Sequence, residues 1–169
     1  DRAIEIATET INTFEKIYEE KWLNMMRDKL GLFGEDINDQ ILIMELLKWM
    51  SNNKTDYTNT FCFLMNEQFS NKEIYNDKNF LIWKEKWNNR LKLNNNSQEK
   101  YLKLMHSVNP LVIPRNHKVE EALKAANDND IKPMNDLIKI LEKPYETQEK
   151  ISEYQFPDND NEYQTFCGT

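Results

Sequence analysis

The sequence contains very little glycine. Only Gly31, Gly34 and Gly168 occur among its 169 residues. Hairpins and phosphate-binding loops depend on glycine, because other residues adopt the required backbone conformations only at a cost. The scarcity disfavours both features over most of the chain and leaves helices as the expected dominant element.

Cysteine and histidine are also scarce. The two residues of each type lie far apart, and neither a Cys-x-x-Cys nor a His-Glu-x-x-His spacing occurs. A zinc site is therefore not expected. His117 and Glu120 could form an acid–base pair, but a histidine beside a helix end more often caps the helix or faces solvent. A small acid–base enzyme is accordingly the last of three hypotheses.

Excess positive charge and long apolar runs are missing as well. The formal net charge of -7 disfavours a general nucleic-acid binder, which needs clustered lysine and arginine to neutralise phosphates. No run approaches the roughly 18 apolar residues of a membrane span, and the first residues lack a signal-peptide pattern. We expect no nucleic-acid or membrane partner and a cytoplasmic location.

Apolar residues at helical spacing fill most of the chain. The first row begins at Ile4 and continues through Ala7, Ile11 and Phe14. Helical spacing thus begins almost at the first residue, which is not methionine. This start suggests a piece of a longer protein. Further helices are predicted to begin near Asp36 or Asn38, Thr55 or Asp56, residue 77, Ser97, Asn116 and Asp130.

These patterns predict an all-α fold. Residues 1–143 should form one multi-helix domain, and residues 144–169 an irregular tail ending in Cys-Gly-Thr. The second helix should turn Ile41 toward the core and the fourth should do the same with Leu81. The four tryptophans, at helical spacing in an acidic chain, indicate core or interdomain packing rather than base stacking.

Arg115 is one of only four arginines, and it lies between Pro114 and Asn116. A specific ion pair or an anion contact would explain an arginine at this position, whereas an exposed arginine between two helices is the simpler alternative. We favour a structural role, within the domain or at an interface.

Residues 109–120, with the sequence NPLVIPRNHKVE, resemble the signature NP-x-x-IPRNH-x-VE found late in selenoprotein O (YdiU) family sequences. The stretches 26–32, 56–61, 143–148 and the final Phe-Cys-Gly-Thr also resemble the family, in the expected order. Cys62 departs from the pattern, because relatives commonly carry a basic residue there. The matching signature residues, whose role is unknown, are Asn109, Pro110, Pro114, Arg115, Asn116 and His117.

The resemblance implies a parent protein with a kinase-like core that transfers AMP from ATP to protein hydroxyls with Mg²⁺ or Mn²⁺. Its nucleotide and metal motifs lie upstream of the matched region, so we assign no catalytic, cofactor-binding or metal-binding residue to this chain. Cys167 matches the third-from-last position, where eukaryotic relatives carry selenocysteine, and is the candidate redox residue.

Two further hypotheses concern partners. In the leading one, the chain braces the upstream kinase-like core of the same polypeptide, which acts on protein substrates, and carries a redox-sensitive tail. In the second, it is a stand-alone helical interaction module without catalytic activity. In either case, self-association of the chain is one way to cover an apolar face left by excision.

Overall fold

The computed structural model describes residues 2–65, 73–93 and 95–158. These ranges contain eight α-helices, one 3₁₀ turn and no strand, which confirms the all-α prediction. Cys167 lies outside the described residues. The helices are α1 Arg2–Lys29, α2 Asp39–Asn53, α3 Tyr57–Leu64, α4 Lys78–Lys92, α5 Gln98–Val108, α6 Asn116–Asn127, α7 Lys132–Leu141 and α8 Ser152–Gln155, with the 3₁₀ turn at Glu73–Asn76.

Most helix ends follow local sequence signals. Gly31, at φ 69°, supplies the left-handed residue after α1, as predicted. The Asp56 carboxylate caps α3, the Asp77 carboxylate caps α4 and the Ser97 hydroxyl caps α5, each by accepting backbone N–H groups of the first turn. These caps confirm three of the predicted helix starts.

Two predicted caps differ from the structure, and a third, Asn38, is correct only in its position. Arg115 is the N-cap residue of α6, so Asn116 is already helical, and its side chain does not cap the helix. Asn38 precedes α2 without a side-chain cap. Ile131 is the N-cap residue of α7, although Asp130 still accepts a hydrogen bond from the Lys132 N–H at 3.0 Å.

The core lies between the end of α1 and helices α2 to α5. Trp83 and Trp87 stack with ring centroids 5.9 Å apart, and their indole N–H groups donate to the Leu42 and Leu30 carbonyls. The predicted packing role of the tryptophans is thus confirmed within this domain. Ile41 and Leu81, by contrast, are exposed, because each neighbours the residue that its helix turns inward.

The first two-thirds of α1 lies outside this core. Every residue from Arg2 to Lys21 is exposed, and burial begins only where the helix meets α2 and α5. The apolar row predicted for this helix therefore forms an exposed stripe in the structure.

Candidate functional site

The first part of the signature, residues 109–115, connects α5 to α6, and we call this connection the bridge. Pro110 and Pro114 remove backbone donors and favour an extended path. Among the bridge residues, Asn109, Leu111 and Arg115 are buried in the protein. The bridge is therefore a largely buried connection rather than a loop on the surface.

Asn109 ties the bridge to two helix ends. Its amide Nδ2 donates to the Lys29 and Met105 carbonyls at 2.9 Å each, and its Oδ1 accepts from Lys29 Nζ at 3.0 Å. Carbonyl groups at helix ends lack intrahelical partners. The Asn109 side chain supplies a donor to the Lys29 carbonyl at the end of α1. It also adds a second donor to the Met105 carbonyl of α5, which already accepts the Asn109 N–H at 2.9 Å.

Lys29 lies among aromatic rings beside the bridge. Its Nζ is 4.9 Å from the Phe61 ring centroid and 5.5 Å from that of Tyr57. Burial lowers the pKa of Lys29, while the ring faces and the Asn109 oxygen favour the ammonium form. Cys62 is buried nearby, with its Sγ 3.7 Å from the Pro110 carbonyl oxygen.

Arg115 joins the bridge to α3. Its NH1 and NH2 groups donate to Asp56 Oδ2 and Oδ1 at 2.6 and 2.9 Å, a two-pronged ion pair. Asp56 also caps α3 by accepting from the Asn59 N–H. Arg115 is buried. It therefore forms a specific ion pair within the domain, which is the structural role favoured above, and it is not an exposed arginine between two helices.

Arg115 also binds the chain after α7, through Gln155. Its NH2 donates to the Gln155 carbonyl at 2.7 Å, and Asn59 Nδ2 donates to the same oxygen at 3.2 Å. The Gln155 side chain donates in turn to the Leu111 carbonyl at 2.9 Å. Sequence reasoning missed Gln155, since its four-residue helix is too short to produce a period.

A second buried ionic group lies between α1, α2 and α4. Asp39 accepts from Arg27 Nε at 2.8 Å and from Arg90 Nε at 2.6 Å. Burial opposes ionisation of Asp39, but hydrogen bonds from Arg90, Arg27 and the Asp36 N–H outweigh it and lower the pKa of this carboxyl. Sequence reasoning named neither Asp39 nor Arg90, and it included Arg27 only within the family-like stretch 26–32. The two arginines lie 12 and 51 residues from Asp39 in the sequence.

The remaining signature residues differ in their exposure. Pro114 and Asn116 are exposed, and Pro110 and His117 are half-buried. Glu120 is exposed one turn after His117 on α6, and the acid–base hypothesis stays a prediction. Within residues 2–65, 73–93 and 95–158, no three His, Cys, Asp or Glu side chains form a group that could hold a metal ion. The hydrogen bonds described for the bridge link it to α1, α5 and the start of α3.

A family model described as protein adenylyltransferase SelO matches residues 3–142. Similar curated proteins include the protein nucleotidyltransferases YdiU of Pelagibacter ubique, at 55% identity, and of Nitrosococcus oceani, at 43%. A third, from Clostridium perfringens strain 13, is 42% identical. Each match covers 100% of this chain and 35% of the relative.

The chain is thus similar in sequence, over its whole length, to part of proteins named protein nucleotidyltransferases. The chain belongs to the SelO family, and it spans about a third of the length of these relatives. None of the helices in the described part of the chain has the length and apolar character needed to cross a membrane.

Proposed function

We propose that this chain is the C-terminal helical part of a protein adenylyltransferase and braces an upstream kinase-like core. That core transfers AMP from ATP to Ser, Thr or Tyr hydroxyls of protein substrates. Membership of the SelO family and the nucleotidyltransferase relatives support the proposal. The 35% coverage of those relatives leaves ample chain for such a core.

The observation that carries the bracing role is the stripe of α1. Ile4, Ile11, Phe14 and Tyr18 recur at helical spacing and are 66%, 72%, 66% and 57% exposed. Burying one such side chain contributes about 1.5–3 kcal/mol, so a row of four facing water is unfavourable without a partner surface. Large exposed apolar patches usually mark contact sites. The upstream core is the partner we propose.

ATP and a divalent cation, Mg²⁺ or Mn²⁺, belong to the upstream core in this proposal. The described side chains do not fit either group, because they offer neither a metal-binding cluster nor a glycine-rich phosphate loop. Its own residues hold helices in place, and the core supplies the chemistry.

The redox role of Cys167 remains part of the proposal. Reactivity of a thiol requires exposure and thiolate character. Cys62 is fully buried in the core, which disfavours it as the reactive residue. Differential alkylation of the full-length protein before and after mild peroxide tests the assignment. Cys167 should lose alkylation and regain it with a thioredoxin-type reductant, and full alkylation after oxidation would contradict the role.

AMP transfer by the full-length protein tests the bracing role. Phe14→Asp places a charge on the stripe, whereas Asn12→Asp adds the same charge on the opposite side of α1. We expect Phe14→Asp to reduce transfer of label from α-labelled ATP at least tenfold and Asn12→Asp to leave it unchanged. Equal activity of both variants would contradict bracing and favour the stand-alone interaction module.

A further inference from the structure

Residues 142–158, which run from the end of α7 through α8, lie across the bridge. We call residues 142–158 the strap. Besides the bond from Arg115 to the Gln155 carbonyl, two hydrogen bonds join the strap to Leu111 of the bridge. The Leu111 N–H donates to the Pro144 carbonyl at 2.7 Å, and the Leu111 carbonyl accepts from Gln155 Nε2 at 2.9 Å. Both polar backbone groups of Leu111 therefore depend on the strap.

The strap has the features of a weakly held element. Gln155 is its only buried residue, and Ile151 packs partly against the core. Its helix, Ser152–Gln155, has four residues and no side-chain cap, and Lys150 before it has a left-handed φ of 66°. Few buried apolar contacts and short local structure are typical of segments that open without global unfolding.

The body beneath the strap does not depend on it in the same way. The two bonds from Arg115 to Asp56 and the cap that Asp56 provides for α3 involve no residue of the strap. Undocking removes the Gln155 contacts and the Leu111–Pro144 bond. The helical body and the strap can therefore separate at this point.

From this arrangement we propose that Arg115 is a positioning residue that latches the strap, and that the strap exchanges as one unit between docked and undocked states. Arg115 holds the strap by donating to the Gln155 backbone carbonyl. A hydrogen bond from a charged donor is stronger than one between two neutral groups. The Gln155 side chain adds the second hold, on Leu111. Arg115 and Gln155 together set the docked fraction.

The latch has a consequence for the proposed redox role. Cys167 follows Gln155 by 12 residues in the sequence, so chain length alone limits its reach from a docked Gln155 to about 40 Å. This consequence rests on the proposed function, whereas the latch itself does not. A test that reads the strap directly separates the two.

Hydrogen exchange in the full-length protein provides that test, because the Leu111 amide reports docking. Arg115→Lys keeps the charge but loses the two-pronged geometry, and Gln155→Ala removes only the hold on Leu111. We expect the Leu111 amide to exchange about tenfold faster in Arg115→Lys and several-fold faster in Gln155→Ala. Lys86→Met, which removes an exposed lysine paired with Glu45, is the control and should change nothing.

Amides of α2 and α4 distinguish a latch from general destabilisation. The proposal holds if Leu111 and the strap accelerate while α2 and α4 keep wild-type rates. Unchanged Leu111 exchange in both variants would overturn it, as would equal acceleration of α2, α4 and Leu111. A faster strap combined with an unaltered oxidation response of Cys167 would sustain the latch and show that oxidation of Cys167 does not depend on docking of the strap.

Discussion

Asp39 offers a sharp test of how the helical body is held together. Its carboxylate is fully buried, and the side chains of Arg27 and Arg90 are only 10% and 8% exposed. Asp39→Asn keeps the size of the side chain and removes its charge. Two buried guanidinium groups then lose their shared carboxylate partner, and breaking a buried pair in this way costs about 3–5 kcal/mol.

That cost is a large part of the roughly 5–15 kcal/mol that stabilises a typical domain. Urea unfolding of the chain, followed by circular dichroism, measures it. With a slope of about 2 kcal/mol per molar urea, the midpoint should fall by about 2 M. Glu45→Gln is the control, because its pair with Lys86 is exposed and contributes about 1 kcal/mol or less.

The result that would refute this reasoning is a loss for Asp39→Asn no larger than for Glu45→Gln. A double-mutant cycle identifies the cause. Adding Arg90→Met to Asp39→Asn removes one stranded charge, so the double variant should lose less stability than the sum of the two single variants. Simple additivity would show that the charges do not interact.

Three further predictions concern stability of the chain. Gly31→Ala should destabilise it by about 1–3 kcal/mol in urea unfolding, since Gly31 has φ 69° and its new Cβ would lie 3.0 Å from Met105 Cγ; no loss would contradict this. Asn109→Ala leaves the Lys29 carbonyl without its side-chain donor and Lys29 Nζ without the Oδ1 acceptor, and should cost about 1–3 kcal/mol, visible as a lower urea midpoint. Folding lowers the pKa of Asp39, so the contribution of its carboxylate to the free energy of unfolding should be complete above the unfolded pKa of about 4 and lost as pH falls through the folded pKa. Equal acid sensitivity of wild type and Asp39→Asn would contradict that.

Local sequence signals predicted the helices well but not the contacts that join them. Caps such as Asp56 and Ser97 act within one turn, so the sequence displays them directly. The signature singled out Arg115, yet its partner Asp56 lies 59 residues away. Nothing local marks Asp56 as the acceptor of a buried arginine.

The same reason explains the residues that sequence reasoning missed. Asp39 looks like an ordinary polar residue at a helix start, and only the fold brings Arg27 and Arg90 to it. Gln155 belongs to a segment whose position is set by Arg115 and Leu111 rather than by its own periodicity. Ile41 and Leu81 show the converse, because helical spacing fixes the width of an apolar face but not which edge of it is covered.

Hydrogen exchange along α1 tests the central claim most directly, namely that this chain braces an upstream core. The comparison is between residues 4–18 in the 169-residue chain and the same residues in the full-length protein. If the core covers the stripe, these amides should exchange at least a hundredfold more slowly in the full-length protein, while α2 and α4 exchange alike in both. Equal exchange of residues 4–18 in the two proteins would contradict the claim.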